Sequence, residues 1–254
     1  MFRFFKNIRQ QLASENKVIA YLRYAIGEIL LVVIGILIAL QINSWNQSRL
    51  ESNDEKIILS NLHDEFLNNK IELKKSIHIY EGAMQGNKML MSLIGSDAAE
   101  LQKYNLDSLF FESLPSTKII FSDNAIKNII QSGRLNIIKD TKIVQLMYEW
   151  EALAILIKER ENTLHAWINN QLIPYISDYV PFKEIDAYGN MPWGGKSKLK
   201  SNYSELFKQL KYENILDNVL WYHNKNLASL KDADDLIEKI IDATKEYSHD
   251  KNLP

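Results

Sequence analysis

Apolar residues are distributed in two ways along this chain of 254 residues. From Ile29 to Leu40 the run ILLVVIGILIAL carries no polar side chain. Beyond residue 50, apolar positions instead recur singly at helical spacing. The run alone, at about 1.5 Å per residue, reaches only about 18 Å, well short of the roughly 30 Å of hydrocarbon in a bilayer. Its flanks extend it through Tyr24, Ala25, Ile26, Gly27 and Glu28 on one side and Gln41 and Ile42 on the other. The segment 24–42 is then about 28 Å long as a helix. Tyr21 and Tyr24 at one end and Trp45 at the other stand where an interfacial aromatic belt places such rings. A helix apolar on every side does not read as an ordinary amphipathic core helix. The continuation Ala39-Leu-Gln-Ile42 lacks the small-residue pattern of a cleaved signal peptide. The segment therefore reads as an uncleaved membrane anchor.

After the span, Ser48-x-x-Glu51 and Ser52-x-x-Glu55 both fit capping boxes. Leu59, Leu62, Phe66, Leu73, Tyr80 and Leu90 follow on a near-heptad path, predicting one long helix that either starts afresh at these boxes or runs on from the span. Asn69, Ser76 and Asn87 interrupt that seam, which favours packing in a bundle over a two-stranded coiled coil. Gly95 and Ser96-Asp97 end the helix. A short helix is expected over Leu106 to Leu114, stopped by Pro115, and another capped by Asp123, running to Gln131 and terminated by Gly133. Asp140 then caps a long element with Ile143, Leu146, Trp150, Leu153, Ile157, Leu164, Ile168 and Leu172 on one face, which Pro174 should kink or end. The stretch from Val180 to Lys200 carries two prolines and three glycines and reads as a loop. A terminal helix is predicted from about Glu213 to Tyr247, with Leu216, Leu220, Leu227, Leu230, Ile237 and Ile241 facing inward. The expected fold is all-α: one N-terminal transmembrane helix, then a bundle of long helices. No internal repeat of fixed period supports a solenoid.

Composition agrees with that reading. A hydrophobic content of 46% is ample for a core, and only 9 Gly and 5 Pro leave few turns. The net charge of -2 gives no electrostatic footprint for nucleic acid. The absence of cysteine excludes disulfides, thiolate metal sites and a cysteine nucleophile. Abundant Ile, Lys and Asn suggest an AT-rich bacterial genome. Arg3, Lys6, Arg9, Lys17 and Arg23 precede the span, against Arg49 and Lys56 in a comparable stretch after it. The positive-inside rule then keeps residues 1–23 in the cytoplasm and sends 43–254 across the bacterial inner membrane. Phe5, Ile8, Leu12, Ile19 and Leu22 recur among the basic residues, so the N-terminus is either an interfacial helix on the inner leaflet or a solvated flank.

Two groups of residues are candidates for recognition. Glu28 is the one ionisable residue within the span; it either snorkels to the interface or shares a stripe with Gly35, Ala39 and Ile42, where Gly35 and Ala39 form a small-xxx-small pattern for a partner helix. Phe182, Tyr188 and Trp193 in the 180–200 loop either contact a partner or ligand or fold back over the bundle. Catalytic patterns do not survive inspection. Ser14-Glu-Asn-Lys17 and Ser122-Asp-Asn124 match two elements of penicillin-binding enzymes, but K-T-G is absent and the two serines fall on opposite sides of the membrane. The five histidines, His63, His78, His165, His223 and His249, show no zinc spacing. Glu161 and His165 read as an ordinary surface pair at i,i+4, and phosphate-binding glycine loops are lacking. No catalytic residue, cofactor ligand or metal ligand is assigned.

The block from Tyr24 through Asn43, followed by Ser44-Trp45-Asn46, resembles the N-terminal signature of an uncharacterised family of single-span membrane proteins from Bacteroidota. Ser44 departs from the Asn of that signature. A second likeness is Ile129-Ile-Gln-Ser-Gly-Arg-Leu-Asn-Ile-Ile138 with the long helix running to Ile173-Pro-Tyr-Ile176. The resemblance implies an inner-membrane helical protein with no assigned activity. The first expectation for function is an envelope interaction or scaffold protein, with the lipid bilayer and a protein partner or second copy as its partners. A small-molecule sensor signalling through a partner's membrane helix comes second. An enzyme comes third, because nothing assembles a nucleophile, a base and an oxyanion donor.

Overall fold

The computed structural model describes residues 18–114, 118–189 and 191–248. The basic and apolar residues expected before Val18, the Ser14–Lys17 motif, Pro115 and His249 lie outside the described residues, as do the side chains of Tyr21 and Tyr24. The chain divides into two compact units, Met1–Lys56 and Ile57–Pro254.

The first long element, α1, is a continuous helix over Val18–Ser92. Ser48 and Ser52 therefore do not cap anything. Their surroundings are helix interior, where backbone N–H groups already bond to the preceding turn, and Gln47 Nε2 donates to Glu51 Oε1 at 2.9 Å across that interior. Within the first unit, the side chains of Ile29 to Ile42 are exposed, the large apolar ones between 45% and 69%.

The second unit is built on the later part of α1, on α5 (Thr141–Trp167) and on α9 (Leu210–Thr244). Leu59, Leu62, Phe66, Leu73, Tyr80 and Leu90 of α1 are all buried, so the near-heptad pattern marks the core face. Contacts along the helices give their directions. Phe66 meets Trp150 edge-on at 4.9 Å between ring centroids, and Tyr80 meets Glu161, so α5 runs parallel to α1. His63 pairs with Thr244 and Lys70 with Glu238, so α9 runs antiparallel to both.

A parallel pair needs the chain to travel back the length of the bundle. It does so through α2 (Ala98–Leu101), α3 (Leu106–Ser113), an extended strap at 118–123 and α4 (Asn124–Gln131). Asn87 Nδ2 donates to the Ser113 carbonyl at 2.7 Å at the start of this return. Asn69 clasps the backbone of Ser122 from both sides, at 2.8 Å each, near its end. Two of the three polar residues that break the α1 seam, Asn69 and Asn87, thus hold the return path, while Ser76 donates back to the Glu72 carbonyl of its own helix. Gly95, at φ 79°, closes α1 and donates its N–H to the Phe207 carbonyl at 2.8 Å.

Two details differ from the sequence reading, the cap of α4 and the 180–200 stretch. Asp123 holds the N-cap position of α4 without a side-chain cap bond; its carboxylate pairs instead with Lys127 at 2.7 Å. Asp140 does cap α5, accepting from Lys142 N at 2.8 Å. Ahead of Pro174, where a kink or an end is expected, the regular α-helix stops at Trp167 and a π-turn at Ile168–Leu172 passes the chain into α6 (Ile173–Ser177). The 180–200 stretch is not wholly loop, since it holds α7 (Phe182–Asp186) and a 3-10 turn at Ala187–Gly189. A further short helix, α8 (Tyr203–Leu206), precedes α9. The end of the unit beside α3 is closed by rings, with Phe110 stacked on Tyr203 and Tyr212 and edge-on to Phe207.

Candidate functional site

The inner seam of a three-helix arrangement is ordinarily apolar, because an unpaired polar group there costs about 1–3 kcal/mol. In this chain the middle of the seam is polar. Tyr80 comes from α1, Glu161 and His165 from α5, and His223 and Asn226 from α9. Helical spacing put them there. Glu161 lies between Ile157 and Leu164 on the buried stripe of α5, and His223 and Asn226 lie between Val219 and Leu230 on that of α9. Tyr80 and His223 are completely buried, as is Asn226, and Glu161 is nearly so.

Half of this cluster is well satisfied. Tyr80 donates its hydroxyl proton to Glu161 Oε1 at 2.8 Å, and the same oxygen accepts from Ile119 N of the strap at 2.7 Å. Because that proton is committed, the 3.4 Å approach of His165 Nε2 to the Tyr80 oxygen requires the histidine to donate. Burial, then the neighbouring Glu161 carboxylate, pushes the Tyr80 phenol well above its ordinary range. Burial lowers the pKa of His165, with Glu161 opposing and Lys118 adding to the effect.

The other half is not satisfied. Neither ring nitrogen of His223 has a hydrogen-bond partner, and neither do Asn226 Nδ2 and Oδ1. The His223 ring sits edge-on to Tyr80, with 6.0 Å between ring centroids. Asn226 faces the Tyr80 hydroxyl without closing a bond of acceptable geometry. Burial, helped by His165, pushes the His223 imidazole down to about 4, so it stays neutral at ordinary pH. The sequence reading took Glu161 and His165 for a surface pair, and burial corrects that. His223 enters that reading only as a histidine without zinc spacing and Asn226 not at all, although both fall on the apolar stripe of the terminal helix.

Two surface cavities flank the cluster. One of about 630 Å³ follows the seam of α1 and α9, lined by His78, Glu81, Lys88, Asn224, Leu227 and Lys231. Another of about 360 Å³ lies under the strap, with Trp150, Ile157 and Glu161 in its wall and Lys118 and Lys158 at its side. Among the described residues, no group of three or more His, Asp or Glu side chains is arranged to hold a metal ion.

None of the residues singled out from sequence as candidates for recognition belongs to this cluster. Gly35 and Ala39 are exposed and Glu28 is half-buried, and an added Cβ on Gly35 would meet nothing within 4 Å. Phe182 packs against the core. Tyr188 stays partly exposed and accepts from Asn105 Nδ2 at 2.5 Å. Trp193, 62% exposed, donates to Asp186 Oδ2 at 3.2 Å.

Residues 28–99 are similar to a family of unknown function, DUF6090. The matched part is under a third of the chain and takes in the whole apolar run from Ile29 to Leu40 together with the buried face of α1. The second likeness noted from sequence, Ile129 to Ile138, falls outside it. No curated protein and no solved structure matches the chain.

Proposed function

We propose that this chain is a single-span protein of a bacterial inner membrane, with a cytoplasmic N-terminus and a periplasmic helical domain that serves as an envelope interaction or scaffold protein. One observation carries the reading: α1 has two apolar surfaces that meet different solvents. Its later face is buried by α5 and α9, whereas every residue from Ile29 to Ile42 is exposed. A core helix of a soluble protein can be equally apolar, but its own fold covers it. About 14 apolar side chains left uncovered call for lipid or a partner helix, since a contiguous patch of that size is unfavourable in water. The excess of Lys and Arg before the span supports the orientation.

Phosphatase fused after Tyr247 tests the topology: activity is expected, and an inactive fusion beside a working cytoplasm-dependent reporter rejects the orientation. Crosslinking in native membranes tests the interaction role, for which a stoichiometric partner or a second copy is expected. Within the span, Gly35→Leu is expected to weaken association in a membrane reporter, because the added side chain keeps helices apart at the Gly35 and Ala39 stripe. Association equal to that of the unaltered chain rejects this surface.

A second reading, signal sensing inside the domain, is favoured by the unsatisfied His223 and Asn226. An interaction scaffold has no use for four unpaired polar atoms in its core. A ligand-dependent rise in melting temperature of the chain would favour it.

A further inference from the structure

We propose that the turn carrying His223 and Asn226 is a proton-operated lock on α9: a proton taken up at His223 loosens the seam that α9 forms with α1 and α5. The inference goes beyond the interaction role and does not depend on what the domain docks on.

The geometry supplies the reason. An imidazolium needs acceptors for two N–H groups or access to water, and His223 is 0% exposed with neither nitrogen bonded. From α1 it faces Tyr80, whose hydroxyl proton is already given to Glu161. From α5 the cluster receives Glu161 and His165. The carboxylate is shared between Tyr80 and Ile119, and His165 is a further base whose charging would repel an imidazolium at 223. Arg160 of α5 approaches one turn further along, donating to the Lys225 carbonyl at 3.0 Å and to the Ser229 hydroxyl, and the strap brings Lys118 to bear on His165. Of the charged groups that reach the cluster, Arg160 and Lys118 are cations and Glu161 is already engaged; Glu81, with His78, Lys88 and Lys231, lines the adjoining cavity of α1 and α9. Only neutral acceptors, Asn226 Oδ1 and the Tyr80 oxygen, remain nearby. A charged His223 is relieved by opening α9 to water.

The sign follows from linkage. Burial holds the folded imidazole near about 4, below the ordinary value of 6.5. The open form therefore binds a proton first as pH falls. The closed seam is fully stable above about pH 6.5 and loses stability progressively towards pH 4, by at most about tenfold in the opening equilibrium per pH unit.

Hydrogen exchange on the full chain in nanodiscs, corrected for intrinsic rates, tests the lock between pH 7.5 and 5. In the unaltered chain, amides of residues 216–230 are expected to lose protection approximately tenfold or more, while those of α4 change little. His223→Phe keeps a ring in the seam without a titrating nitrogen and is expected to abolish the response. Asn226→Asp places a carboxylate beside the imidazole and is expected to diminish it, which keeps the test open if His223→Phe fails to fold. Constant protection of 216–230 in the unaltered chain overturns the proposal. So does an undiminished response in either variant, since the proton would then act elsewhere.

Discussion

Glu65 of α1 caps α4, a helix that begins 59 residues further along the chain (124 − 65). Its Oε2 accepts from Ala125 N at 3.0 Å and from the Ser122 hydroxyl at 2.8 Å. The carboxylate therefore does at long range what Asp123, at the N-cap position, does not do locally. Removing a cap costs about 0.5–2 kcal/mol, while an exposed pair such as Asp123 with Lys127 contributes little. Glu65→Ala is expected to lower the unfolding free energy by about 1–2 kcal/mol and Asp123→Ala by under about 0.5. Urea denaturation followed by circular dichroism compares them; equal losses would mean that Glu65 is not the cap.

Two glycines one turn apart in α1 should respond oppositely to alanine. A Cβ on Gly82 meets nothing within 4 Å, whereas one on Gly86 would stand 3.0 Å from the Ser113 backbone N and Cα. Neither glycine is needed for its backbone conformation, since both are helical. Gly82→Ala is expected to stabilise by about 0.5–1 kcal/mol through helix propensity. Gly86→Ala pushes against backbone that Asn87 holds in place, and a net loss of about 1–3 kcal/mol is expected. Thermal melts of the two variants side by side decide this, and a stabilised Gly86→Ala would show that α3 yields freely.

Much of this fold was legible because long helices print their buried face in the sequence. The stripes from Leu59 to Leu90, from Ile143 to Leu172 and from Leu216 to Ile241 located the three principal helices. Their directions were not legible. That α5 runs parallel to α1 depends on the return path, and the strap at 118–123 has no periodicity because side chains from other helices hold its backbone. Asn69 and Glu161 do this, while Glu65 takes the Ser122 hydroxyl and Ala125 N of α4, and nothing around Glu65 in the sequence distinguishes it from a surface residue. Glu161, His223 and Asn226 did leave a signal: each occupies a position at which the helical stripe calls for an apolar residue. Reading polar residues on the inner stripe as deliberate, instead of listing histidines by metal spacing, would have found the cluster.

Stability should fall on the alkaline side as well. Burial raises the phenols of Tyr80, Tyr203 and Tyr212, with Glu161 adding to the effect on Tyr80 and Asp107 on Tyr203. The folded chain therefore keeps these protons while the unfolded chain loses them near pH 10. Unfolding then releases protons, and the unfolding free energy is expected to drop as pH rises through 10 to 11. Denaturation at pH 9 and 11 measures it, with tyrosinate absorbance showing when the buried phenols ionise. Tyr203→Phe should flatten the slope, and an unchanged slope in that variant would remove Tyr203 from the account.

The bond between Tyr80 and Glu161 lends itself to a double-mutant cycle. Glu161→Leu leaves both the Tyr80 hydroxyl and Ile119 N without an acceptor, so its cost is expected to be about 2–4 kcal/mol. Glu161→Gln keeps a carbonyl oxygen in place of Oε1 and should cost less. Tyr80→Phe removes one of the two donors, so in its background Glu161→Leu orphans only Ile119 N. The two losses should then fall short of additivity by about 1–3 kcal/mol. Strict additivity would mean that the 2.8 Å contact contributes nothing of its own. A deficit that persists in the Glu161→Gln background at the same size would assign the coupling to ring packing against His223, because the amide retains the acceptor that the cycle is meant to remove.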